Sequence, residues 1–488
     1  MSMHSSSYAR LPERFFARME PTPVADPRLL RFNHPLAADI GLDVAGRDDA
    51  ALAALFSGNA RFPGTEPIAA VYAGHQFGHF VPQLGDGRAL LLGDAWGRDG
   101  MRRDIQLKGS GRTPYSRGGD GRAALGPVVR EYLVSEAMHA LCIPTTRALA
   151  AVATGESVFR EETLPGAILT RVAASHVRVG TFQYFAARGD TDGVRLLADY
   201  VIDRHYPQAS SDERPYLALL RAVIEAQASL VAAWMHVGFI HGVMNTDNMA
   251  VSGETIDFGP CAFVDSYDPG AVFSSIDRQG RYAYGNQPHA AAWNLARFAE
   301  TLLPLIDSNA ERALALAEES MAVFSTRYAD LWLAGMRRKL GLSAPQEGDA
   351  ALAEELLDAM HRNHADFTLT FRRLCAAAAS ASADEGVRTL FASPSDYDRW
   401  AVRWRARLTH DPVDAAARAA AMRRVNPEYI PRNHRIEQVI RAAEKQDFGP
   451  FAEMSEALSQ PYRPREGFDS YAHPPQPGER VLHTFCGT

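Results

Sequence analysis

The sequence predicts an α+β protein with two lobes, a strand-rich first lobe and a predominantly helical second lobe with additional helices. Between about residues 66 and 175, short apolar runs are bounded by Gly, Asp and Thr, which is typical of β-strands. After about residue 215, apolar residues recur at steps of three and four, the period of an α-helix. Two lobes leave a cleft between them, and ligands favour clefts.

The first lobe contains several segments with the composition of strands. They are IAAVYAG, ALLLGDAW, RRDIQLK, RALAAVATG and GAILTRVAA. The segment GRAALGPVVREYLVSEAMHAL, residues 121–141, has apolar residues at helical spacing instead. We therefore expect a sheet whose strands are interrupted by one helix.

The second lobe is predicted to contain a long, largely buried helix at residues 216–238, which leads directly into a turn-rich stretch at residues 241–260. A short hairpin about Ser252 and Gly253 would supply the only strands of this lobe. The end of the chain is rich in Pro and Gly, which predicts an extended tail. Further helices are predicted near residues 289–306, 310–341, 349–378, 412–424 and 434–458.

These patterns divide the chain into segments. We predict an N-terminal extension at residues 1–65, the first lobe at 66–185, the helical lobe at 186–460 and the extended tail at 461–488.

Composition narrows the class of protein. The 488 residues are 46% hydrophobic, enough to bury a large core. No apolar run approaches the roughly 18–20 residues that span a bilayer, and the first residues lack the layout of a secretory signal, so we expect a cytoplasmic protein without a membrane partner.

The net charge of −7 argues against a nucleic-acid partner. Neither a disulfide framework nor metal-site spacing is found among Cys142, Cys261, Cys375 and Cys486.

Lysine is rare, since only three of the 51 basic residues are lysines. Lys339 and Lys445 are expected on solvated helix faces, where chance explains them. Lys108 ends an apolar strand segment and is followed 23 residues later by Glu131 in the predicted helix. A strand lysine paired with a helix glutamate is the kinase arrangement that directs an ammonium toward nucleotide phosphates. The alternative is that Glu131 is an ordinary surface residue.

A glycine-rich turn precedes one of the predicted strands. Gly85 and Gly87 would let backbone amides approach phosphate oxygens closely, and Arg88 adds positive charge. An ordinary hairpin turn is the alternative interpretation.

The loop GSGRTPYSRGGDGR holds five glycines and three arginines, which suits an anionic ligand, although a solvated loop has the same composition. Asp120 and Gly121 close this loop, where Asp120 could also act as a helix N-cap. Further along, Arg171 and Arg178 lie seven residues apart at a predicted strand-to-helix junction. They could converge on one anion, or be unrelated arginines in an arginine-rich chain.

The stretch HGVMNTDNMAVSGETIDFGP carries the strongest functional signal. Asn248 and Asp257 offer a carbonyl and a carboxylate oxygen in the layout by which kinase-like enzymes hold Mg²⁺ on a triphosphate. In protein kinases the catalytic carboxylate stands two residues after the His, and here that position is Val243, which cannot accept a proton. Asp247 is the nearest replacement. A coincidental turn rich in Asp and Asn is the alternative.

His75 and His79 have a spacing that invites a metal-site interpretation. Because the surrounding residues are predicted as loop and strand, a four-residue step does not aim both rings at one ion, and structural packing is favoured.

These motifs resemble the selenoprotein O family over nearly the whole chain. The similarity is carried by YAGHQFGHFVPQLGDGRALLLGD, DIQLKGSGRTPYSRGGDGRAALGPVVREYLVSEAMHALCIPTTRALA, HGVMNTDNMAVSGETIDFGP and QGRYAYGNQPHAAAWNLARFAE. The resemblance implies a protein-kinase-like two-lobed pseudokinase fold that binds ATP in reversed orientation. It also implies transfer of AMP to Ser, Thr or Tyr hydroxyls of proteins with release of pyrophosphate, and, in some members, transfer of UMP from UTP with Mn²⁺.

The resemblance also implies roles for individual residues. Asp247 would accept the proton, Asn248 and Asp257 would bind Mg²⁺ or Mn²⁺, and Glu131 would support the lysine. The nucleotide contacts would be Gly85, Gly87, Arg88, Lys108, Asp120, Gly121, Arg171, Arg178 and Asp257.

Some family members carry selenocysteine or cysteine near the position of Cys486. A redox switch that pairs Cys486 with Cys261 is therefore a hypothesis, and a free, buried Cys261 is the alternative.

The predicted activity is that of a nucleotidyltransferase, a protein adenylyltransferase. Two other functions remain open. One is a catalytically inactive nucleotide-binding pseudokinase scaffold, which the intact Lys108, Asp247, Asn248 and Asp257 disfavour. The other is ordinary phosphotransfer, which Val243 disfavours.

Overall fold

The structure is a computed structural model that describes residues 3–484. It is a mixed α/β protein in which an antiparallel sheet is built from the N-terminal part of the chain and helices dominate the rest. The strands are β1 (Phe16–Arg18), β2 (Arg28–Phe32), β3 (Ile68–Ala70), β4 (Gly74–Gln76), β5 (His79–Val81), β6 (Ala89–Trp96), β7 (Arg102–Lys108), β8 (Ala123–Ala124), β9 (Arg147–Phe159), β10 (Thr163–Ala173), β11 (Phe239–Ile240) and β12 (Ala262–Phe263). The helices are α1 (His34–Asp39), α2 (Asp49–Ser57), α3 (Leu125–Ala140), α4 (Val179–Ala186), α5 (Thr191–His205), α6 (Pro215–Val237), α7 (Gln287–Ile306), α8 (Ala310–Leu340), α9 (Asp349–Arg362), α10 (Phe367–Ala377), α11 (Asp384–Arg388), α12 (Pro394–Thr409), α13 (Ala415–Arg423), α14 (Asn433–Glu444), α15 (Gly449–Leu458) and α16 (Asp469–Ala472).

The main sheet has the strand order β1-β3-β6-β7-β10-β9-β2, with β8 paired to β10. All of these pairs are antiparallel. Its two outermost strands, β1 and β2, come from the predicted N-terminal extension, so that segment contributes to the sheet. The division of the chain into four segments stays a prediction.

The central strand β7 shows how the sheet positions functional groups. Ile105 and Leu107 point into one apolar cluster, together with residues of α1 and α2. Successive side chains of a strand point to opposite faces, so Asp104, Gln106 and Lys108 lie on the other face. Helix α3 packs on that face and brings Glu131 to Lys108.

Helix α6 is the core helix of the second lobe and packs against α7 and α8. It ends at Gly238, which has a φ of 75° and therefore a backbone that favours glycine. Among the described residues it is the one helix long and apolar enough to cross a membrane, and 61% of that apolar window is buried inside the protein. Burial by neighbouring helices explains its composition.

The structure corrects the bounds of three predicted helices. The helix predicted at residues 434–458 is divided into α14 and α15. Helix α3 begins at Leu125 rather than at residue 121, because Ala123 and Ala124 pair with β10 as a short strand. The helix predicted at residues 349–378 is divided into α9 and α10, and His364 between them has a φ of 50°. Helices α1, α2, α5, α11 and α12 were not predicted, and the predicted tail contains the short helix α16.

The hairpin predicted about Ser252 and Gly253 is wrong. Ala250 forms a bridge with Arg178, and Thr255 forms one with Thr145. The two sides of the turn therefore pair with other parts of the chain instead of with each other. The strands of this lobe are β11 and β12, which pair with each other.

The expected exposure of Lys339 is also wrong. Its side chain is in the last turn of α8 and is 3% exposed, with Nζ 4.1 Å from the centroid of the Phe371 ring. Burial lowers the pKa of Lys339 to about 7. Lys445 is exposed, as expected.

Candidate functional site

A cleft of about 840 Å³ lies between the main sheet and the turn-rich stretch that follows α6. The structure brings the predicted site residues together there, although they are spread over more than 170 positions of the chain. Glu131 lies behind the cleft, bound to Lys108. The predicted residues that line the cleft are Gly85, Gly87, Arg88, Lys108, Asp120, Gly121, Arg171, Arg178, Asp247, Asn248 and Asp257.

Two cations and two carboxylates form the floor of the cleft. Lys108 Nζ donates to Glu131 Oε2 at 2.7 Å and to Asp257 Oδ1 at 3.1 Å. Arg171 binds the same pair, with Nε on Glu131 Oε1 and Nη2 on Asp257 Oδ1. Burial by itself would raise the pKa of Glu131, but Arg171 and Lys108 outweigh it and hold the pKa below its ordinary value. Glu131 is thus a buried ion-pair partner and not a surface residue.

Asp257 is the member of this cluster that is presented to a ligand. Its side chain is 27% exposed, whereas the other three are almost fully buried. Arg171 and Lys108 keep the pKa of Asp257 well below its usual value in spite of burial, so the carboxylate is charged. Its φ of 66° lies in the left-handed region, which a non-glycine residue rarely adopts. Such strain is characteristic of functional sites.

Arg178 occupies a second buried position in the cleft. It lies at the N-terminus of α4, with Nη1 3.4 Å from Asp86 Oδ1 and its guanidinium 4.4 Å from the centroid of the Tyr72 ring. Its Nε is buried and has no hydrogen-bond partner in the part of the chain that the structure describes. Arg171 and Arg178 do line one cleft at a strand-to-helix junction, but Arg171 is held by Glu131 and Asp257 and Arg178 by Asp86.

The glycine-rich loops pack tightly. A Cβ on Gly85, which has a φ of 141°, would lie 2.6 Å from Cγ of Tyr115, and one on Gly121 would lie 2.1 Å from the Gly111 carbonyl. Larger residues would therefore displace the loop. Asp120 binds the Arg160 guanidinium at 2.9 Å and is not an N-cap, since α3 is capped at Ala124.

Asp247 lies in a 3-10 turn, Thr246–Asn248, facing the cleft. Its Oδ2 accepts a hydrogen bond from Gln76 Nε2 at 3.4 Å, and its Oδ1 is buried without a partner among residues 3–484. Burial raises the pKa of Asp247 to about 6. Gly74 packs directly on it, since a Cβ there would lie 2.3 Å from Oδ1.

The hairpin of β4 and β5 holds the turn that contains Asp247. The backbone amide of His75 donates to Thr246 Oγ1 at 2.7 Å, and that of Phe77 donates to Asn245 Oδ1 at 3.0 Å. The His75 ring packs against Phe80 and Trp293, as the packing interpretation predicted, while His79 is exposed. The hairpin thus fixes consecutive residues of the turn.

Val243, two residues after His241, lines the cleft. Its carbonyl accepts from Asn248 Nδ2 at 3.0 Å, which leaves Oδ1 as the Asn248 atom that a ligand can use. His241 is buried, and its Nε2 contacts the Ile256 carbonyl at 2.8 Å, so its role is structural.

Comparison with known proteins identifies the family. The family model described as "Protein adenylyltransferase SelO" matches residues 1–459. The chain belongs to the SelO family. "Protein nucleotidyltransferase YdiU" of Rhizobium rhizogenes is 62% identical over 486 residues, which cover 99% of this chain and 96% of the relative. The proteins of the same name from Rhizobium meliloti and from Bradyrhizobium sp. are each 61% identical, with coverage of 99% or more of both chains. The SelO family is one of nucleotidyl-transferring enzymes.

Nucleotidyl transfer in the SelO family implies a nucleotide and, typically, a divalent cation. Among the described residues, no group of three or more His, Cys, Asp and Glu side chains is arranged to hold a metal ion. Mg²⁺ on a nucleotide, however, needs only one or two protein oxygens, because phosphates and water complete its shell. Asn248 and Asp257 supply one amide oxygen and one charged carboxylate to the same cleft, so the donors fit this kind of binding.

Three contacts of this SelO cleft were missed from the sequence. Asp86 holds Arg178, Gln76 binds Asp247 and Arg160 binds Asp120. The sequence feature that could have identified Asp86 is its position between two glycines. For Gln76, the corresponding feature is its position beside two glycines and a histidine.

The redox hypothesis involves one residue that lies outside the described part of the chain, Cys486. Cys261 is a buried free thiol whose Sγ lies 3.3 Å from the Phe258 carbonyl. Burial raises the pKa of Cys261 to about 12, which keeps it protonated and unreactive.

Proposed function

We propose that this chain is a protein adenylyltransferase that transfers AMP from ATP to Ser, Thr or Tyr hydroxyls of proteins and releases pyrophosphate, with UMP transfer from UTP as a second reaction. The family and the named relatives support nucleotidyl transfer. The observation that carries the finer proposal is the pair Val243 and Asp247. A valine fills the kinase position of the base, while four residues further on stands a buried carboxylate, one oxygen of which has no hydrogen-bond partner in the described chain.

The proposed fold is that of a two-lobed kinase with ATP bound in reversed orientation. Lys108 and Glu131 form the strand-to-helix ion pair of a kinase, which supports this fold. Arg178 supports the reversal, because it is a buried cation with a donor, Nε, that has no partner in the described chain. In the reversed orientation it would hold the terminal phosphate, and the innermost phosphorus would face the acceptor.

Asp247 is proposed as the proton acceptor. With its pKa at about 6, it is mostly ionised at neutral pH and still basic enough to take a proton from a hydroxyl. The hydroxyl oxygen forms a bond to the α-phosphorus, its proton moves to the Asp247 carboxylate, and the bond from the α-phosphorus to pyrophosphate breaks. Gln76 contacts Oδ2 and so orients the carboxylate.

The remaining groups neutralise the triphosphate. Lys108 and Arg171 bring two positive charges to the cleft floor, and Arg88 adds one at its edge. Asn248 and Asp257 would hold Mg²⁺, or Mn²⁺, and the chemistry that the ion supplies is neutralisation of charge on the α-phosphate and the departing pyrophosphate. A cytoplasmic location, and the absence of nucleic-acid and membrane partners, stay predictions.

Transfer of separately labelled ATP tests this function. The protein is incubated with Mg²⁺ and ATP labelled at either the α or the γ phosphate, with Asp247→Asn as the control. We expect covalent label on protein from α alone, and none with the variant. Label from γ alone would establish ordinary phosphotransfer, and ATP binding without any covalent label would establish the scaffold.

A further inference from the structure

Six arginines line the cleft; two of them, Arg171 and Arg178, are called the inner arginines, and the two arginines that follow the cleft-lining Ile276 are called the outer arginines. The inner arginines, Arg171 and Arg178, form ion pairs with Asp257, Glu131 and Asp86 at the nucleotide end. The outer arginines, Arg278 and Arg281, follow Ile276 in the segment that borders the cleft mouth. In the described part of the chain, neither outer arginine forms an ion pair with a carboxylate.

Arg281 lies close to the turn that carries Asp247. The next residue, Tyr282, donates from its hydroxyl to Asn245 Oδ1 at 2.9 Å, two positions before Asp247. The Arg281 guanidinium also lies against the tip of the β4–β5 hairpin, where a Cβ on Gly78 would be 3.5 Å from it. Arg281 is therefore a neighbour of the hairpin and of the turn that hold Asp247.

A tryptophan holds Arg281 in place. The Arg281 guanidinium lies 4.7 Å from the centroid of the Trp293 ring, and that of Arg297 lies 5.1 Å from the same ring. Arg297 is neutralised by Glu300 at 2.6 Å, so the uncompensated charge of this stack belongs to Arg281. Stacking on an aromatic ring fixes a guanidinium without using its hydrogen-bond donors. Nε of Arg281 is buried, so its positive charge rather than that nitrogen is what an acceptor carboxylate would meet.

The segment that carries these residues is held at both ends. Asp277 is buried and accepts from the backbone amides of Arg281 at 2.9 Å and Tyr282 at 2.8 Å. Before it, the amide of Ser275 donates to the Thr484 carbonyl at 3.2 Å. Between these fixed points, Ile276 lines the cleft with a side chain that is 61% exposed, an unusual position for a large apolar residue.

We propose that Ile276, Arg278 and Arg281 form an acceptor-docking surface that selects protein segments in which acidic residues flank the modified hydroxyl. This inference rests on the proposed function, since only an enzyme that modifies proteins needs to seat a polypeptide beside Asp247. Ile276 contacts an apolar side chain of the acceptor, and the arginines pair with its carboxylates. Because the chain has a net charge of −7, most of its surface would repel an acidic acceptor. The arginines beside the cleft offset that repulsion where the acceptor binds.

Acceptor peptides of opposite charge test the docking surface. The probes are synthetic peptides with a single Ser flanked by Asp and Glu, or by Lys, and α-labelled ATP reports transfer. For the protein without substitutions we expect kcat/KM to be about tenfold higher with the acidic peptide than with the Lys peptide. The difference should lie in KM for the peptide, because two charge pairs at a partly exposed site together supply about 1.4 kcal/mol. The preference should fall as salt is raised, because exposed charges are screened.

Charge reversal supplies the decisive comparison. The double variant Arg278→Glu and Arg281→Glu should prefer the Lys peptide, while its KM for ATP stays unchanged. Arg278→Glu alone tests the exposed arginine without disturbing the Trp293 stack, and should reduce the preference about threefold. Arg47→Glu, an exposed arginine in the loop before α2, is the matched control and should keep the acidic preference.

The outcomes distinguish a failure of the docking surface from a failure of the transferase function. Equal labelling of both peptides, or an acidic preference that survives reversal, would overturn the docking surface and leave adenylyl transfer standing. No α label on either peptide or on the protein itself would instead refute the transferase function and the docking surface with it.

Discussion

Gln76 Nε2 lies 3.4 Å from Asp247 Oδ2, which joins the tip of a short hairpin to a turn 171 residues further along the chain. The bond holds one oxygen of the proposed base, while the other, Oδ1, is buried against Gly74. The hairpin that carries Gln76 and Gly74 therefore orients the carboxylate.

Replacing Gln76 by methionine should lower kcat about tenfold or more and leave the affinity for ATP within about twofold. An oriented base accelerates a proton transfer roughly 100- to 10,000-fold, and only part of this acceleration depends on the single bond from Gln76. Steady-state kinetics with α-labelled ATP, together with calorimetric titration of ATP, measure the two effects. Gln83→Met, at an exposed position just beyond the hairpin, is the control. An unchanged kcat would show that Gln76 does not position Asp247.

Activity should rise with pH through about 6. Burial raises the pKa of Asp247 to about 6, and only its ionised form accepts a proton, so kcat/KM should fall roughly tenfold for each pH unit below that value. A profile from pH 5 to 8 measures this. The Asp247→Asn variant should show no transfer at any pH in this range. In the unmutated protein, an acid limb centred near pH 4 would indicate that the carboxylate is solvated.

Lys108→Arg should lose at least about 100-fold in kcat although the charge is kept. The ammonium lies 2.7 Å from Glu131 Oε2 and 3.1 Å from Asp257 Oδ1, and a planar guanidinium is too large to reproduce both contacts beside Arg171. Labelled transfer measures the loss, with Lys445→Arg as the matched control on the surface. Full activity of Lys108→Arg would show that the site does not require a lysine at this position.

Asp257→Ala should abolish ATP binding that depends on a divalent cation. The change removes the one charged carboxylate of the two proposed metal ligands and leaves Lys108 and Arg171 with a single shared partner, Glu131. Calorimetric titration of ATP with and without Mg²⁺ measures it, and Asp268→Ala on the surface serves as the control. Mg²⁺-dependent binding that persists in Asp257→Ala would contradict this assignment.

Lys339 should reduce stability at neutral pH. Burial lowers the pKa of Lys339 to about 7, whereas its ordinary pKa is near 10.5. Between pH 7 and pH 10.5 the unfolded chain therefore binds more protons than the folded chain, and the free energy of unfolding rises with pH. Lys339→Met should raise the free energy of unfolding at pH 7 by about 2 kcal/mol or more, since the apolar stem is kept and the buried amine is removed. Urea denaturation at pH 7 and pH 10 measures it. A smaller gain at pH 10 is expected, and a loss of stability at pH 7 would refute the burial argument.

The positions of the strands and of the long helices were predictable because they follow from local patterns. Strands β6, β7, β9 and β10 and helix α6 appear where apolar spacing placed them. The errors occur where a distant partner overrides the local pattern. Ala123 and Ala124 have helical spacing but pair with β10, and the turn at Gly253 has hairpin composition although both of its sides pair with other segments.

The sequence by itself determined that the chain has a strand-rich part, a helical part and motifs for binding a nucleotide, because composition, periodicity and short motifs are properties of neighbouring residues. Only the tertiary structure decided that Asp86 holds Arg178, that Gln76 holds Asp247, and that Lys108 and Arg171 share the same two carboxylates. These contacts join residues 23 to 171 positions apart, and their energies depend on burial and on distances of about 3 Å that exist only once the sheet, α3 and the turn after α6 have packed together.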